Sequence, residues 1–182
     1  SWVDGTQIAF YYNVSDAYNN SIAGTFTVIV DGLAPMLDSY VLDGGKYYNA
    51  TSGGVVYVIS VNTHWNITVY ATDSGAGYSH AVIYYWYEYY DATTSGNYTQ
   101  TIYGSDEVTI FHAPSKKGTC YFILELHDTV RNKENTTTYS FIIDEAPSLS
   151  NIDILGAPYP NSHNVAITIT VNDADDTNPN AL

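Results

Sequence analysis

The sequence predicts an all-β chain built of antiparallel β-sandwich repeats, and three observations carry that prediction. The first is composition. Val, Ile, Thr and Tyr contribute 15, 15, 20 and 19 of the 182 residues, whereas Leu, Met, Glu, Gln, Lys and Arg together contribute 21. β-Branched and aromatic side chains fit a pleated, half-buried surface and lose rotamer freedom in a helix. This balance excludes a helical bundle and argues against a doubly wound α/β enzyme. The second is alternation of apolar and polar residues with period two, in runs separated by Gly, Asn, Asp and Ser clusters such as "DSGAG", "TTSGN" and "PSKKG". The third is that the chain repeats itself.

Two matches define the repeat. Phe10–Leu37, "FYYNVSDAYNNSIAGTFTVIVDGLAPML", aligns with Phe122–Leu149, "FILELHDTVRNKENTTTYSFIIDEAPSL", at an offset of 112 with one internal slip. Asp16 meets Asp128, Phe26 meets Tyr139, and Ala34-Pro35 meets Ala146-Pro147. Ile67–Val82 aligns with Ile167–Leu182 at an offset of 100, placing Asp73 on Asp173. The difference between the offsets implies an insertion around residues 38–60, rich in Gly and Tyr. The boundaries then fall at the Ala-Pro steps. Residues 1–34 close one unit, residues 35–146 are a complete unit, and residues 147–182 open another.

Each segment has its own strand logic. In residues 1–34, the phase turns Ile8, Phe10, Tyr12 and Val14 to one face, then Phe26, Val28 and Val30. In the complete unit, "HWNITVYATD" puts Trp65, Ile67, Val69 and Ala71 inward. "IYYWYEYY" puts Ile83, Tyr85, Tyr87 and Tyr89 inward, with Tyr84, Trp86 and Tyr90 outward beside Glu88. "TCYFILELHD" turns Cys120, Phe122, Leu124 and Leu126 to the core and leaves Glu125 and His127 outside. "TYSFIID" adds Tyr139, Phe141 and Ile143. About seven strands are expected in this unit. In the last segment Ile167, Ile169 and Val171 share a face. A half unit leaves a bare apolar face and open strand edges, so both end segments are expected to lie against neighbouring polypeptide: copies of the chain, or the rest of a longer tandem protein.

"GTCYFILELHDTVRNKENTTTYSFIIDEAP" resembles the closing half of the immunoglobulin-like tandem repeats of large prokaryotic cell-surface proteins. "VYATDSGAGYSHAVIYYWYE" is similar to the second and third strands of the same repeats, with their Asp-x-Ser-Gly turn. The resemblance implies an immunoglobulin-like architecture and units in tandem. Function is left open between stalks, adhesin arms, sheaths and surface-layer modules.

Composition narrows the chemistry. Five Lys and Arg against nineteen Asp and Glu give a net charge of −14, which offers no basic footprint for nucleic acid and no attraction to anionic lipid. The longest uncharged run, Tyr47–Thr72, is interrupted by Asn49, Ser52, Ser60, Asn62, Thr63 and Asn66, so membrane insertion is not expected. The five histidines are scattered without a ligand spacing, no nucleophile motif occurs, and an enzyme is not expected. Cys120 reads as a small core residue.

Three groups of side chains are candidate sites. Loop acids at the unit junctions suit calcium, which takes 6–8 hard oxygen ligands. Asp31 is expected near Asp73 and Asp128, and Asp144 and Glu145 near Asp173 and Asp175. Six Asn-x-Ser/Thr sequons, at Asn13, Asn19, Asn49, Asn66, Asn97 and Asn135, are candidate glycosylation sites. Asn13 and Asn66 sit on outward strand phases, and Asn19, Asn97 and Asn135 in turns. Tyr84, Trp86 and Tyr90 are candidate interface anchors, because Tyr and Trp bury large area at low entropy cost. The expected function is an extracellular structural protein, part of a filament, stalk, sheath or surface layer. The alternative is an adhesin or a module that binds carbohydrate or a partner.

Overall fold

The computed structural model describes residues 3–49, 54–103, 109–145, 148–155 and 166–172. Among these, every regular element is a strand. The chain divides into two units, Ser1–Asp144 and Glu145–Leu182.

In the first unit, β1 (Gln7–Ser15) and β2 (Ser21–Ile29) form a two-stranded antiparallel sheet. Then follow β3 (Met36–Asp43), β4 (Lys46–Asn49), β5 (Val55–Ser60), β6 (His64–Thr72) and β7 (Tyr78–Tyr89). The unit closes with β8 (Tyr98–Tyr103), β9 (Thr109–His112), β10 (Gly118–Asp128), β11 (Lys133–Asn135) and β12 (Tyr139–Asp144). One sheet has the order β3-β6-β9. A larger one has the order β4-β5-β12-β10-β7-β8, with β11 beside β10. Where about seven strands were expected in residues 35–146, ten are present among the described residues. The surplus is β4–β5, which extends the sheet edge, and the short β11.

One pairing departs from the antiparallel expectation. β5 runs parallel to β12, Val58 opposite Ile142, because the chain crosses from one sheet to the other between β3 and β5. Gly44 and Gly45 make that crossing. Gly44 has φ +95°, and a Cβ there would lie 2.4 Å from the His64 carbonyl oxygen.

The two sheets share one core. Trp65 of β6 is 1% exposed and stacks on Phe111 of β9 at 4.2 Å, meeting Phe141 of β12 at 4.8 Å. Tyr40 of β3 reaches across to Phe122 of β10 at 5.4 Å and Tyr139 of β12 at 4.7 Å. The alternation is visible in the burial: Trp65, Ile67 and Val69 are buried, as are Cys120, Phe122, Leu124, Phe141 and Ile143. Glu125 breaks the pattern. It sits on the outward phase of β10 yet is 9% exposed, since Tyr84, His127 and Lys133 close over it.

The second unit contains β13 (Ser148–Leu155) and β14 (Ala166–Asn172) as an antiparallel pair. Its register is that of β3–β6 shifted by 112 on one strand and 100 on the other. Leu37 faces Ala71, Tyr40 faces Val69 and Leu42 faces Ile67, while Leu149 faces Val171, Ile152 faces Ile169 and Ile154 faces Ile167. The irregularity between Leu37 and Ser39 recurs between Leu149 and Asn151. Strand β3 therefore belongs to the repeat. The extra 112 − 100 = 12 residues fall after Asp43, in the stretch carrying β4 and β5, within the expected 38–60.

The β1–β2 hairpin copies β10–β12 in the same way. Phe10 pairs with Phe26 as Phe122 pairs with Tyr139, and Ile8 with Val28 as Cys120 with Phe141. The turns also match. Asp16 Oδ1 accepts from the Tyr18 and Asn20 amides, and Asp128 Oδ1 from the Val130 and Asn132 amides. Asn19 and Arg131, again 112 apart, both adopt left-handed φ, at 65° and 82°.

Candidate metal centre and neighbouring surfaces

Four turns and strand ends converge where the hairpin meets the larger body of its unit. Asp4 precedes β1, Asp31 follows β2, Asp73 follows β6 and Asp128 ends β10. Carboxylate oxygens of Asp4, Asp31 and Asp73 lie within 4.8 Å of one another. Backbone turns hold each of them. Asp73 Oδ2 accepts from the Gly77 amide at 2.7 Å, and Asp31 Oδ2 from the Ala76 amide at 2.7 Å. Asp4 accepts from the Gly32 amide at 2.9 Å and from the Ser74 hydroxyl at 2.5 Å. The Asn132 side-chain amide donates to the Asp31 carbonyl and to Asp31 Oδ1, tying the Asp128 turn to the cluster.

Electrostatics follows from this crowding. The Ala76 amide favours ionised Asp31, but burial and the charges of Asp73, Asp128 and Asp4 outweigh it, and the Asp31 carboxyl titrates above its ordinary value. Asp4 titrates below its ordinary value, held down first by the Ser74 hydroxyl and then by the Gly32 amide.

The structure thus brings Asp31, Asp73 and Asp128 into one region and adds Asp4, which no sequence pattern singled out. At the second junction, Asp144 ends β12 and its carboxylate lies 3.9 Å from Lys117, and Glu145 begins the second unit. Asp173 and Asp175 lie outside the described residues.

Four of the five scattered histidines form two cross-strand pairs, and His163 lies outside the described residues. His64 faces His112 between β6 and β9, with ring centroids 4.9 Å apart. His80 faces His127 between β7 and β10, stacked at 4.4 Å. His127 Nε2 contacts Glu125 at 2.8 Å, and the Lys133 ammonium donates to the same carboxylate at 2.9 Å. Burial, and then the neighbouring His127, push the His80 pKa below the imidazole value, against a smaller opposing effect of Glu125. On acidification the unfolded chain therefore takes up the His80 proton before the folded one, and stability falls with decreasing pH. The midpoint of thermal unfolding is expected to drop between pH ~7 and ~5.5, and His80→Gln to flatten that slope. A slope unchanged by His80→Gln would refute this assignment. The lowered Glu125 pKa, caused first by Lys133, places its contribution above the carboxylate range, lost only at lower pH.

The aromatic candidates separate. Trp86 is half-buried, stacked on Tyr121 of β10 at 5.6 Å. Tyr84 and Tyr90 are exposed, and the Tyr84 hydroxyl reaches Glu125 at 3.5 Å. Among the sequons, Asn13, Asn19, Asn97 and Asn135 are exposed, and Asn66 is half-buried on β6. Asn135 ends the short strand β11 instead of lying in a turn, because it pairs with Glu125. Asn49 is the last residue of β4.

No protein-family model, curated protein or solved structure matches the chain.

Proposed function

We propose that the chain is a structural protein of the cell exterior, built of immunoglobulin-like sandwiches in tandem and forming part of a filament, stalk, sheath or surface layer. The strand orders support the sandwich reading. β3-β6-β9 corresponds to strands A, B and E of such a fold, and β12-β10-β7 to strands G, F and C.

One observation carries the functional reading: equivalent positions of the repeat are buried in one copy and bare in the other. Phe122 is fully buried, whereas its counterpart Phe10 is 44% exposed and stacks on Phe26 at 5.0 Å, itself 53% exposed. Tyr40 covers Phe122 and Tyr139 in the complete unit. Its counterpart Ile152 is 53% exposed. Each apolar side chain left in water forgoes ~1.5–3 kcal/mol, so these faces favour association with like strands. The complement each face fits is the one its own repeat uses: a β3–β6-like pair on β1–β2, and a β10–β12-like pair on β13–β14. Exposed sequons and the strong negative charge suit an exterior surface.

The purified chain is expected to form concentration-dependent polymers in sedimentation experiments. Replacing Phe10 and Phe26 together by Ser should abolish them, while Tyr11→Ser, on the opposite face and 84% exposed, should not. A wild-type chain that stays monomeric at about 100 µM, well above the Kd of a standard-size interface, would overturn the reading. Glycan binding by that monomer would favour the adhesin or carbohydrate-binding alternative.

A further inference from the structure

We propose that Asp4, Asp31 and Asp73, with the buried Asp128 beside them, bind one calcium ion that fastens the β1–β2 hairpin to the ends of β6 and β10. The proposal stands apart from tandem assembly, since a monomer would bind the ion equally well.

The decisive observation is the second oxygen of Asp128. Asp128 is 4% exposed, and its Oδ2 is buried without a hydrogen-bond partner. A buried, unpartnered carboxylate oxygen is costly unless something positive completes it. The repeat supplies an internal control. In the matching turn, Asp16 is exposed and the Asn20 side-chain amide donates to Asp16 Oδ2 at 2.8 Å. The equivalent amide of Asn132 turns away from Asp128 and reaches Asp31 at 3.3 Å. The same Asp-x-x-x-Asn turn is thus closed upon itself where it stands in solvent. At the junction it leaves its aspartate oxygen open, and its asparagine holds the next carboxylate.

The surrounding donor set fits a hard cation. Three carboxylates form the group and Asp128 borders it, and the hydrogen-bond donors of all four are backbone amides, the Ser74 hydroxyl and the Asn132 amide, all uncharged. None of the ion pairs among the described residues reaches them. Ligand oxygens at ~2.3–2.6 Å from calcium lie at most ~4.6–5.2 Å apart, which accommodates the 4.8 Å spread of Asp4, Asp31 and Asp73. Remaining positions of a 6–8-fold shell are open to water. The bound ion would cancel the mutual repulsion that raises the Asp31 pKa.

Calorimetric titration of the metal-free 182-residue chain with CaCl2 in ~150 mM NaCl, which screens diffuse attraction to the acidic surface, tests the proposal. The expected result is a saturable high-affinity ion together with a rise in the thermal midpoint that EDTA reverses. Asp31→Asn and Asp4→Asn should each weaken it by ~10-fold or more. Asp16→Asn, in the exposed copy of the turn, should leave affinity within about twofold, as expected for a residue outside the ligand set. Asp4→Asn, in the stretch before β1, keeps the test valid if Asp31→Asn folds poorly. No saturable binding, or an Asp16→Asn effect equal to that of Asp4→Asn, would overturn the site. Equal affinity for MgCl2 would overturn the choice of calcium.

Discussion

Replacing Trp65 by alanine is expected to lower the unfolding free energy of its unit by ~3–5 kcal/mol, the range for emptying a buried aromatic site. Trp65 is among the largest fully buried side chains, and it joins the sheets: Phe111 lies beside it in its own sheet, and Phe141 and Tyr85 meet it from the other. Close packing leaves those neighbours little freedom to collapse into the space. Urea unfolding followed by far-ultraviolet circular dichroism measures the loss without depending on tryptophan emission. Trp65→Phe should cost less, since one ring still bridges Phe111 and Phe141. A Trp65→Ala loss below about 1 kcal/mol would mean that the sheets are not joined through this residue.

Trp65 was legible in the sequence because period-two alternation in "HWNITVYATD" directly encodes which residues share a face. The repeat was legible for a related reason. Side chains that must pair across strands recur together, so Phe10–Phe26 and Phe122–Tyr139 kept their match through the offset. The "DSGAG" and Asp-x-x-x-Asn turns placed Asp73 and Asp128 at strand ends, and their meeting with Asp31 followed. Asp4 had no such signal. It lies in a short stretch before β1 whose position is set by long-range contacts, the Asp4 bonds to Gly32 and Ser74.

Long-range pairing hid other features as well. His80 and His127 are 47 residues apart in sequence, yet they stack because β7 and β10 are neighbours. The burial of Glu125 depends on β11, a three-residue strand too short to show a period. Likewise the parallel β5–β12 pairing lies in a segment where Gly and Tyr obscure any alternation. Local pattern therefore revealed faces, turns and the repeat. What it could not reveal was which edges meet.

The crossing between sheets yields the second large effect. Gly44→Ala is expected to destabilise the first unit by two separate routes. An L-residue at φ +95° pays a left-handed penalty of ~1–2 kcal/mol. In addition, the new Cβ would lie 2.4 Å from the His64 carbonyl oxygen and 2.9 Å from Trp65 Cα, both backbone atoms of β6. Those atoms cannot yield without moving the Trp65 ring in the core, so overpacking adds ~1–3 kcal/mol. Gly96→Ala is the control, because its Cβ would meet nothing within 4 Å and its φ is ordinary. That variant should unfold within ~0.5 kcal/mol of the wild-type chain. If Gly44→Ala and Gly96→Ala unfolded at the same urea concentration, the tight passage from β3 to β4 would not be what positions Trp65 between the sheets.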